Sequence, residues 1–331
     1  MQLVRLRRRN FIMLAGAALA WPLAARAQQR AMPVIGFLDP ASPDAATADR
    51  LTAFRQGLAD AGFVEGENVA IEYRWAEGRV ERLSSLAAGL VRRQVAVIVA
   101  IGGSTPASAV KAETSTIPIV FTSAQDPVKL GLVTSLSRPG ANLTGVFLPP
   151  ELTVRRLGLL RELMPTAKQI ALFLDPANAS DTASTLRDVQ AAAARVSGLK
   201  LRAIYVSTAR EIDAAFAGFV NERPDALLVG PFATDRRVQM ALLGVLHKIP
   251  AAYPWRDFVE AGGLMSYGPS LKDAYRQAGA YAGRLLKGTK PADLPVIQSS
   301  KYELIINALT ARLIGVTVPA SLRSLADEVI E

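Results

Sequence analysis

Short apolar runs alternate with longer amphipathic stretches from residue 34 almost to the C-terminus, which is the rhythm of strands and covering helices in parallel βα units. The apolar runs at 34–38, 69–75, 95–100 and 117–122 predict strands, and 45–61, 80–93 and 105–113 predict the helices between them. Asp44 is placed to cap the first helix and Gly62 to end it. A turn-rich stretch, Arg138-Pro139-Gly140-Ala141-Asn142, then leads through 143–148 into Pro149-Pro150, where a first crossing out of the unit is expected. The same order follows again: strands at 170–174, 201–206, 226–229, 251–253 and 264–267, with helices at 182–196, 209–220 and 236–246. A helix at 271–286, an extended segment at 296–306 and a short helix at 308–313 fit neither half and predict further crossings.

The halves also share letters. Phe37-Leu38-Asp39-Pro40-Ala41 recurs as Phe173-Leu174-Asp175-Pro176-Ala177. Downstream, Val97-Ile98-Val99-Ala100-Ile101-Gly102 is answered by Ala226-Leu227-Leu228-Val229-Gly230, and Ile117-Pro118-Ile119-Val120-Phe121 by Ile249-Pro250-Ala251-Ala252-Tyr253. Three matches in order at nearly constant offset predict a duplicated α/β fold: two similar lobes, each a parallel sheet flanked by helices. The expected division is 32–147 plus about 268–294 for lobe 1, and 148–267 plus about 295–331 for lobe 2. A cleft between two such lobes is where a ligand is expected, and hinge closure is the expected motion.

Residues 1–27 read as a cleaved export signal: a basic head at Arg5, Arg7, Arg8 and Arg9, an apolar stretch from Phe11 to Leu23, and Ala25-Arg26-Ala27 as a small-x-small cleavage site. Arg8-Arg9-Asn10-Phe11-Ile12 fits the twin-arginine pattern, with an ordinary Arg-rich Sec signal as the alternative. No cysteine follows the apolar stretch, so a soluble periplasmic protein without a lipid anchor is expected. The formal charge of +9 changes meaning once the five leader arginines are removed from the 38 basic residues, leaving 33 against 29 acidic. That is an ordinary surface without a basic, aromatic-interleaved run, so nucleic-acid binding is not expected. The absence of cysteine removes disulfides and thiolate chemistry, and His247 as the only histidine removes Ser-His-Asp and histidine-rich metal sites. No enzyme and no cofactor are expected.

In open parallel sheets, ligands bind beyond the carboxyl ends of the strands. That rule selects Asp39, Gly103, Ser104, Thr105, Thr122, Ser123 and Asp126 from the first half, and Asp175, Asn178, Phe232, Tyr253 and Tyr267 from the second. Gly102-Gly103-Ser104-Thr105 stands between strand and helix, either an anion-binding helix start or a tight turn with a capping serine. Asp126 is either an acceptor for a ligand ammonium or a cap for a helix starting at Pro127. Asp39 and Asp175, each before a proline, fit turn formation as well as ligand contact. Phe232, Tyr253 and Tyr267, with Trp75 and Trp255, gather at strand ends as ligand walls or as packing between lobes.

A family resemblance runs through the same residues. Ile71-Glu72-Tyr73-Arg74-Trp75-Ala76-Glu77-Gly78, Asp126-Pro127-Val128, Gly131-Leu132-Val133, Arg138-Pro139-Gly140, Tyr267-Gly268, Leu286-Lys287-Gly288 and Pro291-Ala292-Asp293-Leu294-Pro295-Val296 carry it, as does the final Ala326-Asp327-Glu328-Val329-Ile330. With these the chain resembles the tryptophan/tyrosine-type periplasmic substrate-binding components of ABC transporters. The resemblance implies a type I periplasmic-binding-protein fold of two Rossmann-like lobes with three hinge crossings, Ser123 and Asp126 as ligand contacts, and a small organic solute delivered to an ABC permease of the inner membrane. A monomer is expected. A ligand sensor of the same fold, signalling to a membrane receptor, is the alternative.

Overall fold

The computed structural model of the chain describes residues 32–149, 152–176, 179–232 and 236–331; the expected leader and Asn178 lie outside them. Strands β1 (Val34–Asp39), β2 (Ala70–Trp75), β3 (Val97–Ala100), β4 (Ile119–Ser123) and β5 (Leu143–Phe147) form a parallel sheet in the order β2-β1-β3-β4-β5. Strands β6 (Gln169–Leu174), β7 (Lys200–Tyr205), β8 (Ala226–Val229), β9 (Ala251–Tyr253) and β10 (Met265–Pro269) repeat that order as β7-β6-β8-β9-β10. The duplicated letters therefore occupy equivalent places: both Phe-Leu-Asp-Pro-Ala copies run off the first strand of their sheet, and the later matches fall on β3 with β8 and β4 with β9. In both sheets the strand order reverses beside that first strand, which is the topological switch point where such sheets open a crevice.

Each sheet is covered on both faces, so its inner strands are apolar, while the edge strands β2 and β7 carry charged residues. Along β1, Ile35 and Phe37 point to one cluster with Phe54, Leu58, Tyr275 and Tyr281, while Leu38 points to another with Leu83, Leu90 and Phe121. Those clusters lie under helix α1 (Ala45–Asp60) on one side and under α2 (Leu83–Arg92) and α3 (Ser104–Glu113) on the other. The second sheet is sandwiched by α4 (Leu152–Leu163) and α5 (Ala179–Ala194) on one face, and by α6 (Ala209–Gly218), α7 (Arg237–Leu246) and the short α8 (Arg256–Glu260) on the other. Each fully buried Phe or Leu in these clusters contributes roughly 1.5–3 kcal/mol.

After β10 the chain returns to lobe 1 as α9 (Leu271–Leu286), which lies against α1 at backbone contact distance. A Cβ on Gly57 would sit 1.8 Å from the Arg276 carbonyl oxygen, and one on Gly279 would sit 2.1 Å from that of Phe54. Only glycine admits this approach. β11 (Ile297–Gln298) then joins β5 in parallel, and β12 (Tyr302–Asn307) pairs antiparallel with β10. Helices α10 (Ala308–Ile314) and α11 (Ala320–Leu325) lead to β13 (Glu328–Ile330), which closes the second sheet.

Two crossings fall later than the sequence boundaries of 268 and 295. β10 stays in the second sheet to Pro269, and Ser270 caps α9 by accepting from the Asp273 amide. Ile297 and Gln298 still belong to the first sheet, so the segment expected as one extended stretch over 296–306 is two strands in two sheets. The backbone changes partners between them: the Ser299 amide donates to Phe147, and the Lys301 carbonyl accepts from Ser270.

Candidate functional site

The carboxyl-terminal edges of the two sheets face each other. Asp44, which caps α1 just after the β1 loop, forms an ion pair with Arg237 at the start of α7, the helix that follows β8. Ala124, in the loop after β4, packs against the cluster holding Phe232 and Trp255, which follow β8 and β9. Deeper toward the crossings, Arg50 of α1 and Asp257 of α8 pair at 3.2 Å with both side chains nearly buried. The guanidinium carbon of Arg50 also lies 5.7 Å above the centre of the Tyr275 ring. Neither ion pair was legible from the sequence, because each joins charges about 200 residues apart in an unknown lobe arrangement.

On the lobe 1 side, Gly102 and Gly103 take φ values of 88° and 122°, conformations that suit glycine. A Cβ on Gly102 would meet Pro40 Cδ at 2.6 Å, so the loops after β1 and β3 touch here, at the switch point. Nothing lies within 4 Å of where a Gly103 Cβ would be, so the backbone there is open to an incoming group. Ser104 begins α3 half-buried, and its hydroxyl donates to the Gln125 side chain; Thr105 is exposed. Gln125 is a rim residue that strand-end reasoning passed over, although it stands inside a loop already singled out.

Several expected contacts turn out to build the loops rather than line the cleft. Asp39 is 2% exposed; one carboxylate oxygen accepts from the Ala41 amide at 2.8 Å and the other from the Tyr275 hydroxyl at 3.0 Å. Burial pushes its carboxyl up, against those two donors and the nearby Arg50 charge. Thr122 accepts from the Gly102 amide, and Ser123 is fully buried, exchanging hydrogen bonds with the Gln125 carbonyl and amide. Its hydroxyl is therefore spent within its own turn, a correction to its expected role. Asp126 is half-buried and accepts from the Val128 and Lys129 amides, the capping alternative, although the segment it caps is a turn and not the expected helix.

On the lobe 2 side, Asp175 is half-buried and accepts from the Ser207 hydroxyl at 3.1 Å, joining the loops after β6 and β7. Phe232 is half-buried three residues past β8, and Tyr267 is half-buried in the middle of β10, which runs two residues beyond the expected strand end. Tyr253 is not a wall of the site: it is 1% exposed, stacked on Phe258 and bonded to the Met240 carbonyl. Its position on β9 points it to the core face, a parity that a three-residue strand does not reveal.

Arg156, in the second turn of α4, was missed entirely. It is 2% exposed and reaches the end of the second sheet, donating to the Tyr267 carbonyl at 3.2 Å, to the Val229 carbonyl at 3.4 Å and to the Thr153 hydroxyl at 2.8 Å. Its Nε has no partner, and no carboxylate among the described residues pairs with it. Burial pulls its pKa down to about 9, which leaves it charged at neutral pH.

This architecture, two equivalent α/β lobes meeting at their strand ends, is that of the type I periplasmic binding proteins. The chain belongs to the family of ABC transporter substrate-binding proteins, whose family model matches residues 35–330. A tyrosine-binding protein of Clostridioides difficile is 30% identical over 269 residues, which span 78% of this chain and 74% of that protein. Among solved structures, a conserved domain protein from Vibrio cholerae superimposes with a TM-score of 0.80 at 26% identity, over 90% of this chain and 99% of that one. An ABC domain from Streptococcus pneumoniae in complex with L-Trp gives 0.79 at 26% identity with the same coverage. Among the described residues no helix is long and apolar enough to cross a membrane, and no group of three or more His, Cys, Asp or Glu side chains is placed to hold a metal ion.

Proposed function

We propose that the protein is a periplasmic receptor that traps a small organic solute, amino-acid-like or an aromatic carboxylate, by closing its lobes, and delivers it to an ABC permease in the inner membrane. The observation that carries this reading is the pair of strand-end rims. Gly103, Ser104, Thr105 and Gln125 of lobe 1 stand on the side that Ala124 and the Asp44–Arg237 ion pair bring up to Phe232 and the β8 loop of lobe 2.

The chemistry of the rims suits such a solute. The open backbone at Gly103 and the start of α3 offer donors to an anionic group. Phe232 and Tyr267 offer planar apolar surface, and Asp175 offers an acceptor to an ammonium. The tyrosine-binding and L-Trp-bound relatives support an aromatic amino acid as the first solute class to test. Solute contacts that exist only with the lobes together favour the closed state by their differential affinity, and the permease reads that state. Binding without bond-making or bond-breaking is the whole of the role proposed.

The test is a thermal-shift screen of the chain lacking residues 1–27 against the amino acids and a set of aromatic acids, followed by calorimetry on each hit. Stabilisation by one solute class with 1:1 stoichiometry is expected. A protein that no amino acid and no aromatic acid stabilises at millimolar concentration contradicts the receptor reading.

A further inference from the structure

Lobe 2 holds a buried cation that no carboxylate among the described residues neutralises. The Arg156 partners are two main-chain carbonyls and a hydroxyl, all uncharged, and the Nε–H has none. A guanidinium removed from water loses its hydration, and neutral acceptors recover only part of it. Buried charges are ordinarily paired, and this one is paired with nothing among the described residues.

Its location is also specific. Val229 is the last residue of β8, and Tyr267 lies beside Pro254 in register terms, one residue past the end of β9. The guanidinium thus lies against the middle of β10, level with the carboxyl ends of β8 and β9, on the edge of lobe 2 that faces lobe 1. Pro231 and Phe232, which follow β8 two and three residues beyond Val229, are half-buried. The other buried arginine of the interlobe region, Arg50, has Asp257 beside it and the Tyr275 ring beneath it. Arg156 has no such company.

We propose that Arg156 is the cation with which lobe 2 receives an anionic group of the solute, and that the solute accordingly bears a carboxylate directed into lobe 2. This rests on the receptor reading above and sharpens it: lobe 1 supplies donors at Gly103 and Ser104, but the full positive charge comes from the opposite lobe. A carboxylate bridging from the lobe 1 rim to Arg156 ties the two lobes through one ligand group, so charge recognition and closure are the same event.

The competing role is a purely structural one, in which Arg156 only ties α4 to the ends of β8 and β10. Acid–amide pairs separate the two. The probes are L-tyrosine and L-tyrosinamide, L-tryptophan and L-tryptophanamide, and 3-(4-hydroxyphenyl)propionate with its amide, titrated calorimetrically into wild type, Arg156→Met and Arg156→Lys. For the wild type, an acid is expected to bind roughly 10- to 100-fold tighter than its amide, the range for a hydrogen bond to a charged group. Arg156→Met is expected to lose that preference while binding the amide as before, and Arg156→Lys to keep part of it.

Equal wild-type affinity for acid and amide overturns the proposal without any variant, and so covers the case in which Arg156→Met does not fold. An equal loss for acid and amide in Arg156→Met also overturns it, because that is the signature of a structural tie. If none of the probes, and no other solute in the thermal-shift screen, binds the wild type, it is the receptor reading that has failed.

Discussion

Replacing Arg50 by Met is expected to destabilise the protein more than replacing its partner, although the two share one ion pair. At 3.2 Å and an effective dielectric of about 20, unit charges attract by ~5 kcal/mol, an amount comparable to the cost of desolvating them. The intact pair is therefore close to neutral for stability, and the cost arises when one member is left behind. Without Arg50, Asp257 is stranded in a buried site, Asp39 loses the cation that opposes its burial, and the Tyr275 ring loses its cation contact. Without the Asp257 charge, Arg50 still has Asp39 and the Tyr275 ring nearby.

From the range for breaking a buried pair, Arg50→Met should cost about 3–5 kcal/mol and Asp257→Asn about 1–3 kcal/mol. The double variant Arg50→Met/Asp257→Asn should cost less than the sum of the two single losses, with a coupling of about 2 kcal/mol. Urea unfolding followed by far-UV circular dichroism at neutral pH measures all three. Single variants within about 0.5 kcal/mol of wild type, or strict additivity, would refute the assignment of this pair as a desolvated bridge between lobes.

Other outcomes follow from the same structure. Burial raises the Asp257 carboxyl above its unfolded value of 3.8, so the folded chain holds that proton more tightly. Wild type should then gain stability relative to Asp257→Asn as pH falls from 7 toward 4, and a loss over that window would be the wrong sign. Gly57→Ala should lower stability by at least 1–3 kcal/mol in chemical denaturation, since its methyl would meet the Arg276 carbonyl; an unchanged midpoint would mean that α1 and α9 separate easily. Tyr275→Phe should cost about 1–3 kcal/mol by leaving one buried Asp39 oxygen without its donor, measured the same way. Phe232→Ala should weaken solute binding several-fold in calorimetry while shifting the unliganded melting temperature little; equal affinity would remove it from the site.

The fold was largely legible because both sheets are buried on two faces, which turns each strand into an apolar run bounded by turn residues. The duplicated Phe-Leu-Asp-Pro-Ala even marked the switch point of each sheet, through the one loop that has to turn there. Helix α4 escaped because it follows the crossing and has no counterpart in the first half's pattern. The site was less legible, because strand-end residues alternate between two faces and sequence does not show which face opens on the cleft. Ser123 and Tyr253 stand at the expected strand ends but point inward. Arg156 follows Arg155 and stands among Leu157, Leu159 and Leu160, where a basic pair reads as surface until the sheet beneath it is known.

The three passages of chain between the sheets make the molecule hard to divide. Severing any one joint leaves the halves held by the other two. A nick near residue 150 or residue 270 is therefore expected to yield fragments that travel together in native electrophoresis and part only in denaturant. Nor does any single uninterrupted stretch encode one whole half: residues 152–269 expressed alone lack the edge strands β12 and β13, leaving the flank of β10 uncovered and prone to association.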